Sequence, residues 1–431
     1  MIGLSYCGVN SPTMTEWPHL QDIQGSESDL LQGKTVGIAV CGSVAAIEIH
    51  RVARRLMRHG AQVQFFLTEA AGELVSATSL GWCTGRPVVQ RLTARCEHLE
   101  FFGEHGTADL LLIAPATANT LGKIAMGLDD NAVTTCITTA LGSKVPILCA
   151  PGMHAPMMCH PAVRRNLETL AEMGVRILSS SLSEGKQKMM GTEEMVAEVL
   201  RALSPGLLRG KKVLITGGPT REYLDPARCL TNPSSGLTAC LLAGEAHRLG
   251  AEVELIYGPG SVQPPGWVPV RRVDTGEQML QGVRDAVQER EPDIVVSAAA
   301  VSDFAPAHSS EEKRATSLGE FELLLKPTPK IIDWIRRHVP QALLVAFKAA
   351  SSRNDEQLLS AIQPYLAEDR ADLVVGNSVV QEGQGFESST NRYLVCTKNS
   401  EPIVLEKQSK ARLSVMLWES IVRVHRSRAS S

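Results

Sequence analysis

No apolar run in these 431 residues approaches the roughly 20 that a membrane-spanning helix needs. The first 33 residues carry no basic-then-apolar signal architecture and read as a polar arm. Aromatic residues make up only 4%, too few for stacking platforms along single-stranded nucleic acid. Basic excess is also missing. The formal net charge is −3, against the basic balance of a general nucleic-acid binder. The ten cysteines contain no Cys-x-x-Cys pair, so neither a zinc site nor a disulfide framework is indicated. They read as small buried hydrophobes of a reducing cytoplasm, and Cys41, Cys136 and Cys149 adjoin apolar strand-like runs. The glycine turn Gly217-Gly218-Pro219 lacks the Gly-Lys-Ser/Thr of a P-loop and is not a standard dinucleotide fingerprint.

What is present is a doubled pattern of strand, glycine turn, helix and strand. It runs first through Val36–Val40, Cys41-Gly42-Ser43, a helix from Ala45 to His59 and a strand at 62–67. It recurs through Val213–Thr216, Gly217-Gly218-Pro219, a long loop, a helix from Leu237 to Leu249 and a strand at 252–257. Arg58-His59-Gly60-Ala61-Gln62-Val63 and Arg248-Leu249-Gly250-Ala251-Glu252-Val253 echo each other, a glycine stopping the helix each time. Further strands are expected at 109–113, 146–150, 294–297, 343–347 and 373–375, with a hairpin of 393–398 and 402–406 around Asn399-Ser400 and a last helix at 411–425. Short apolar strands alternating with helices imply an α/β fold with parallel sheets covered on both faces. Two domains are expected, 34–204 and 205–431, after an arm of 1–33.

Ligands of open parallel sheets bind at the carboxyl ends of the strands, and the polar, glycine-rich segments stand there. Gly42-Ser43 precedes a helix, so it is either an anion-binding turn or a plain connection. Thr68 ends the next strand, as a helix cap or a ligand contact. In Ala114-Pro115-Ala116-Thr117-Ala118-Asn119 small residues admit a flat ligand to the backbone, with an N-cap as the competing reading. Gly127–Asn131 and Pro151-Gly152-Met153-His154-Ala155-Pro156-Met157 follow, while His160 reads as a surface or capping residue. In the second half, Ile215–Glu222 continues into Leu224-Asp225-Pro226-Ala227-Arg228 and Thr231-Asn232-Pro233-Ser234-Ser235-Gly236, whose Ser-Ser-Gly reads as a second anion cradle at a helix start.

The first half, through Gly42 to Ala46, the Ala-Pro-Ala-Thr-Ala-Asn run, His98 and Pro151–Met157, resembles homo-oligomeric flavin-containing cysteine decarboxylases of flavodoxin-like fold. The resemblance implies FMN at Gly42, Ser43, Thr68, Ala116, Thr117 and Asn119, proton transfer at His98, and substrate held by Met153, His154 and Met157. Oxidising a cysteine thiol to a thioaldehyde puts an electron sink beta to the carboxylate, and CO2 can then leave. Histidine, which titrates near neutrality, suits the proton transfer. His154 stands where the family has asparagine, and Glu184-Gly185-Lys186-Gln187-Lys188 where it has a flap cysteine; both features resemble an archaeal-type branch.

The second half resembles phosphopantothenoylcysteine synthetases, a second Rossmann-like α/β domain, through Asp225–Arg228, Asn232, Ser234–Gly236, Ala299–Phe304, Gly376-Asn377, Gly385-Phe386 and Asn391. It implies that a nucleotide, CTP in most microbial members, activates phosphopantothenate as an acyl-nucleotidylate that cysteine then attacks. Asn232 would assist that attack, and Arg228 would steady phosphate or the loop. Ser234, Ser235 and Gly236 would hold substrate. Asp303, as ligand to Mg2+, and Lys313 would serve the triphosphate, with Gly385 and Phe386 by the base. The chain departs from the pattern at Leu237-Thr238-Ala239 and at Phe347-Lys348-Ala349-Ala350, and Arg314 stands in for a second loop lysine. Taken together, the resemblances imply a bifunctional enzyme of coenzyme A biosynthesis that yields phosphopantetheine. They also imply a cytoplasmic homo-oligomer, with trimeric flavin and dimeric ligase domains, possibly a dodecamer. The other readings are a flavoprotein decarboxylase with a degenerate ligase half and a non-catalytic flavin-binding interaction protein.

Overall fold

The computed structural model describes residues 17–178, 189–313, 319, 322–381, 383–398 and 400–429. Glu184–Lys188, Arg314, Asn399 and the first 16 residues of the expected arm lie outside the described residues. The chain divides into two compact units, Met1–Leu203 and Ser204–Ser431.

The first unit has a parallel sheet of β1 (Thr35–Val40), β2 (Gln62–Leu67), β3 (Leu110–Ala116), β4 (Ile147–Pro151) and β5 (Arg176–Ile177), in the order β2-β1-β3-β4-β5. Alternation along each strand decides the two faces. Val36, Ile38 and Val40 pack with Leu110 and Leu112 against the helices Ile49–Arg58 and Thr192–Ala202. Ala39 and Cys41 join Leu111 and Ile113 on the other face, under the helices Ala132–Gly142 and Pro161–Glu172. Burial pushes the Cys41, Cys136 and Cys149 thiols up, so they are inert packing.

The second unit holds β6 (Lys212–Gly217), β7 (Arg221–Asp225), β8 (Arg228–Thr231), β9 (Glu252–Tyr257), β10 (Val270–Arg272), β11 (Ile294–Ser297), β12 (Phe304–Pro306), β13 (Leu325–Pro327), β14 (Leu343–Ala350), β15 (Leu373–Ser378), β16 (Thr390–Thr397) and β17 (Ser400–Ser409). The main sheet runs β10-β9-β6-β11-β14-β15-β16-β17, parallel as far as β15, and then antiparallel through β16 and β17. The helices Leu237–Arg248 and Lys410–Ala429 pack on one face, and Gly276–Arg290 and Ile331–His338 on the other. No described helix is long and apolar enough to cross a membrane.

The two units repeat one arrangement of backbone and carboxylate. Asp109 precedes β3, and its carboxylate accepts from Thr35 N and Lys34 Nζ, both at 2.8 Å. Asp293 precedes β11 and accepts from Lys212 N at 2.9 Å and Lys211 Nζ at 3.1 Å. Gly60 (φ 94°) and Gly250 (φ 101°) end the equivalent helices in backbone that favours glycine.

Two sequence expectations change. The helix expected from Ala45 opens as a 3-10 turn, Val44–Glu48, before the α-helix Ile49–Arg58, because Ala46 N bonds back to Ser43 and tightens the first turn. The stretch expected as a long loop after Gly218 contains the antiparallel hairpin β7–β8. Its turn is held by Asp225, which accepts from Ala227 N at 2.8 Å and Arg228 N at 2.9 Å. Pro226 at that turn hides the pairing from a strand pattern.

Candidate functional site

The segments that follow β1 and β2 come close together, and so do the turn after β4 and the end of β3. A Cβ on Gly42 would stand 2.5 Å from the Ala70 methyl, and one on Gly152 would stand 2.7 Å from the Pro115 ring. The space so kept is a cavity of about 1160 Å³. Of the residues singled out in the sequence, Gly42, Ser43, Thr68, Thr117, Asn119, Met153, His154 and Met157 line it. Ala116 lies behind the wall, buried at the end of β3, its carbonyl accepting from Gly152 N at 2.9 Å.

Caps and cavity contacts coincide here. Thr68 accepts from Ala71 N at 3.2 Å and Thr117 from Thr120 N at 3.3 Å, so each caps a helix while facing the cavity. His154 heads the helix Ala155–Met158 without a side-chain cap bond, which leaves its ring to the cavity. His160 instead caps the next helix, Nδ1 accepting from Ala162 N at 3.1 Å.

His98 is not brought to this cavity by its own chain. It lies on the helix Glu97–Phe102, entered through Cys96 at φ 52°. The neighbouring Glu97 carboxylate fixes that entry, accepting from Thr93 N at 2.8 Å and Thr93 Oγ1 at 2.5 Å. Burial raises the Glu97 pKa, but the Thr93 bonds outweigh it and hold the carboxyl below its usual range. The His98 Nδ1 is buried without a hydrogen-bond partner. Around the cavity's turns Val44 (70% exposed), Ile47, Met126, Leu128 and Met157 present apolar side chains to solvent.

The second unit has a cavity of about 390 Å³ lined from the carboxyl ends of β11, β14 and β15, with Asn391 and Tyr393 of β16. Asn232, Ser234, Gly236, Asp303, Gly385 and Phe386, all singled out in the sequence, line it. Gly236 takes φ 79° at the head of the helix Leu237–Arg248, and any Cβ there would strike the Tyr257 hydroxyl. Ser235 turns its hydroxyl to the Phe386 carbonyl, 3.2 Å away. Arg228 serves the hairpin turn, its Nε 2.9 Å from Asp225 Oδ2. Lys313 is exposed and does not line the cavity. Asp303 pairs with Lys330 at 2.5 Å, and no group of three or more metal-type ligands occurs among the described residues.

Sequence reasoning missed Lys330 and Lys410 of this wall and read Lys348 only as part of a motif, with no role. Lys330, Lys348 and Lys410 line it, against Asp303 as the carboxylate. Lys330 is the N-cap of the helix Ile331–His338, and Lys410 is the first residue of the last helix. A cation at the positive pole of a helix is disfavoured on its own, and that misplacement was the available signal.

Residues 24–204 match the family model described as Flavoprotein, and 208–424 the model for the DNA/pantothenate metabolism flavoprotein C-terminal domain. The coenzyme A biosynthesis bifunctional protein CoaBC of Thermococcus kodakarensis is 40% identical over 405 residues, 94% of this chain and 98% of that protein. Its counterpart in Methanocaldococcus jannaschii is 31% identical over 407 residues, 94% and 97% of the two chains. A crystal structure of the C-terminal domain of CoaBC is 29% identical and covers 52% of this chain and 99% of that one, at a TM-score of 0.43.

Proposed function

As this chain belongs to the family of coenzyme A biosynthesis bifunctional proteins CoaBC, we propose that its first cavity holds FMN for the decarboxylation and its second takes CTP for the ligation. The enzyme is a phosphopantothenoylcysteine decarboxylase and a phosphopantothenate–cysteine ligase. The ligase half acts first, joining 4'-phosphopantothenate to cysteine through an acyl-nucleotidylate. The flavin half then removes CO2 to give 4'-phosphopantetheine.

The first cavity fits a flavin because the close approach at Gly42–Ala70 and Gly152–Pro115 keeps side chains out of the cradle. Ser43, Thr68, Thr117 and Asn119 supply polar contacts to its phosphate and ring edges. When bound, the flavin supplies the two-electron oxidation of the cysteine thiol. His154, Met153 and Met157 orient the substrate from the β4 turn, His154 gripping the departing carboxylate. His98 carries the proton. Because it does not line its own chain's cavity, a neighbouring copy delivers it in a homo-oligomer, trimeric for the flavin half. The exposed Val44, Ile47, Met126 and Leu128 are the apolar surface such an assembly would cover.

The ligase reading is carried by the second cavity's charge: three lysines and three helix starts face one carboxylate. That balance suits a phosphate monoester and a triphosphate together. The Asp303–Lys330 pair is exposed and worth at most about 1 kcal/mol, so an incoming triphosphate can recruit Lys330. Asp303 would then be one carboxylate ligand to a Mg2+ held chiefly by the nucleotide's phosphates. Asn232 lines the same cavity and would serve the attack of the cysteine amine. Gly385 and Phe386 complete the wall, and Lys330, which lines it, would take the triphosphate role that the resemblance gives to Lys313.

A coupled assay tests this. Purified protein is supplied with phosphopantothenate, cysteine, Mg2+ and CTP or ATP, and pyrophosphate and CO2 are followed. Flavin absorbance in the preparation, with CTP-dependent pyrophosphate release and CO2 in sequence, is the expected result. Colourless protein, or pyrophosphate release that ignores phosphopantothenate, would refute it.

A further inference from the structure

We propose that Lys410 receives the phosphate monoester of the ligase substrate at the inner wall of the second cavity. The inference rests on the ligase reading above. Lys410 is 4% exposed and lines the cavity. Its ammonium donates to the Gly385 carbonyl at 2.9 Å and the Phe386 carbonyl at 3.3 Å, and no carboxylate pairs with it among the described residues. Two of its three N–H donors are thus engaged and its charge is uncompensated. Burial lowers its pKa to about 8, so the charged form still prevails near neutrality. A buried cation at the positive pole of a helix is costly in the free protein and becomes favourable when an anion arrives.

Its place in the fold says which anion. The helices Leu237–Arg248 and Lys410–Ala429 pack together on one face of the sheet, Trp418 Nε1 donating to the Leu242 carbonyl at 2.9 Å. The Asp303–Lys330 pair precedes the helix Ile331–His338 on the opposite face. The cavity therefore has a cation towards each face of the sheet, Lys330 and Lys410, with Lys348 on β14 of the sheet itself. In phosphopantothenate the phosphate and the carboxylate to be activated lie at opposite ends of the molecule. With the triphosphate at Lys330 and the reacting carboxylate by Asn232, the monoester falls to Lys410. Ser235 and Lys410 share the Phe386 carbonyl, which couples this charge to the Ser-Ser-Gly turn.

The test is Lys410→Met in the full chain, with phosphopantothenate and unphosphorylated pantothenate compared as acids for pyrophosphate release. The KM for phosphopantothenate should rise at least about tenfold and the preference over pantothenate should disappear, while the KM for CTP, whose base the resemblance puts by Gly385 and Phe386, should change less. Lys410→Arg should recover part of the preference. An equal loss with both acids would mean that Lys410 only braces the Gly385–Phe386 turn, and a rise in the CTP KM alone would assign it to the triphosphate; either overturns the inference. Decarboxylation of preformed phosphopantothenoylcysteine by the same variant checks that the chain is intact. Calorimetric binding of the two acids reads the same contrast without turnover. A catalytically silent wild type would therefore count against the ligase reading while Lys410 was still judged.

Discussion

Asn232 Nδ2 donates to the Ala300 carbonyl at 3.0 Å, with the Val301 carbonyl 3.3 Å away. Carbonyls can be satisfied only by the amide's NH2 end, so the side chain has one orientation and its oxygen remains an acceptor. That oxygen is suited to hold the cysteine amine. Asn232→Ala should still release pyrophosphate on mixing with CTP and phosphopantothenate, while amide formation falls by about 100-fold or more. Full amide turnover in that variant would remove Asn232 from the chemistry.

For His98, placement outside its own cavity predicts complementation. His98→Ala and His154→Ala should each keep flavin and each lose CO2 release, by about 100-fold or more. Co-expressed, the two chains should regain a fraction of wild-type activity, since mixed oligomers contain sites with both histidines intact. Two inactive parents that stay inactive together would place both residues in one chain's site.

Gly42→Ala should yield colourless protein. The new methyl meets Ala70 inside van der Waals distance, and the Ala70 backbone lies 3.2 Å away, so the turn must shift. Pyrophosphate release by the second unit should continue. Retained flavin absorbance at wild-type stoichiometry would show that the turn is not the cradle.

Asp225 predicts a pH dependence. Burial raises its pKa, but the Ala227 amide and the Arg228 side chain and amide outweigh burial and hold the carboxyl below its usual range. A carboxylate depressed in the folded state stabilises above its unfolded pKa, and this is lost as pH falls through the folded value. Asp225→Asn should lower the unfolding temperature of the second unit at pH 7, and the gap to wild type should close towards pH 3. A gap independent of pH, measured by calorimetry, would exclude the charged hydrogen bonds as its cause.

Much of the fold was legible because its signals are local. Apolar runs such as Val36–Val40 and Val213–Thr216 are buried on both faces, so they show as short unbroken stretches between glycine stops. Elements with mixed exposure were harder: β7 alternates against a small hairpin, and the helix Gly276–Arg290 carries no glycine stop. In the first cavity, Gly42, Thr117 and His154 follow their strands within three residues, and a parallel sheet brings such positions to one edge.

By itself the sequence determined two α/β units with a ligand edge on each, since strand length, helix stops and tight turns are set by neighbours along the chain. Tertiary structure alone decided that Lys330, Lys348 and Lys410 share one wall with Asn232, and that His98 and Lys313 stand away from the cavities of their own chain. The reason is that residues far apart in sequence converge only through strand order and the face each helix covers. Those depend on how the whole core packs and on no single segment.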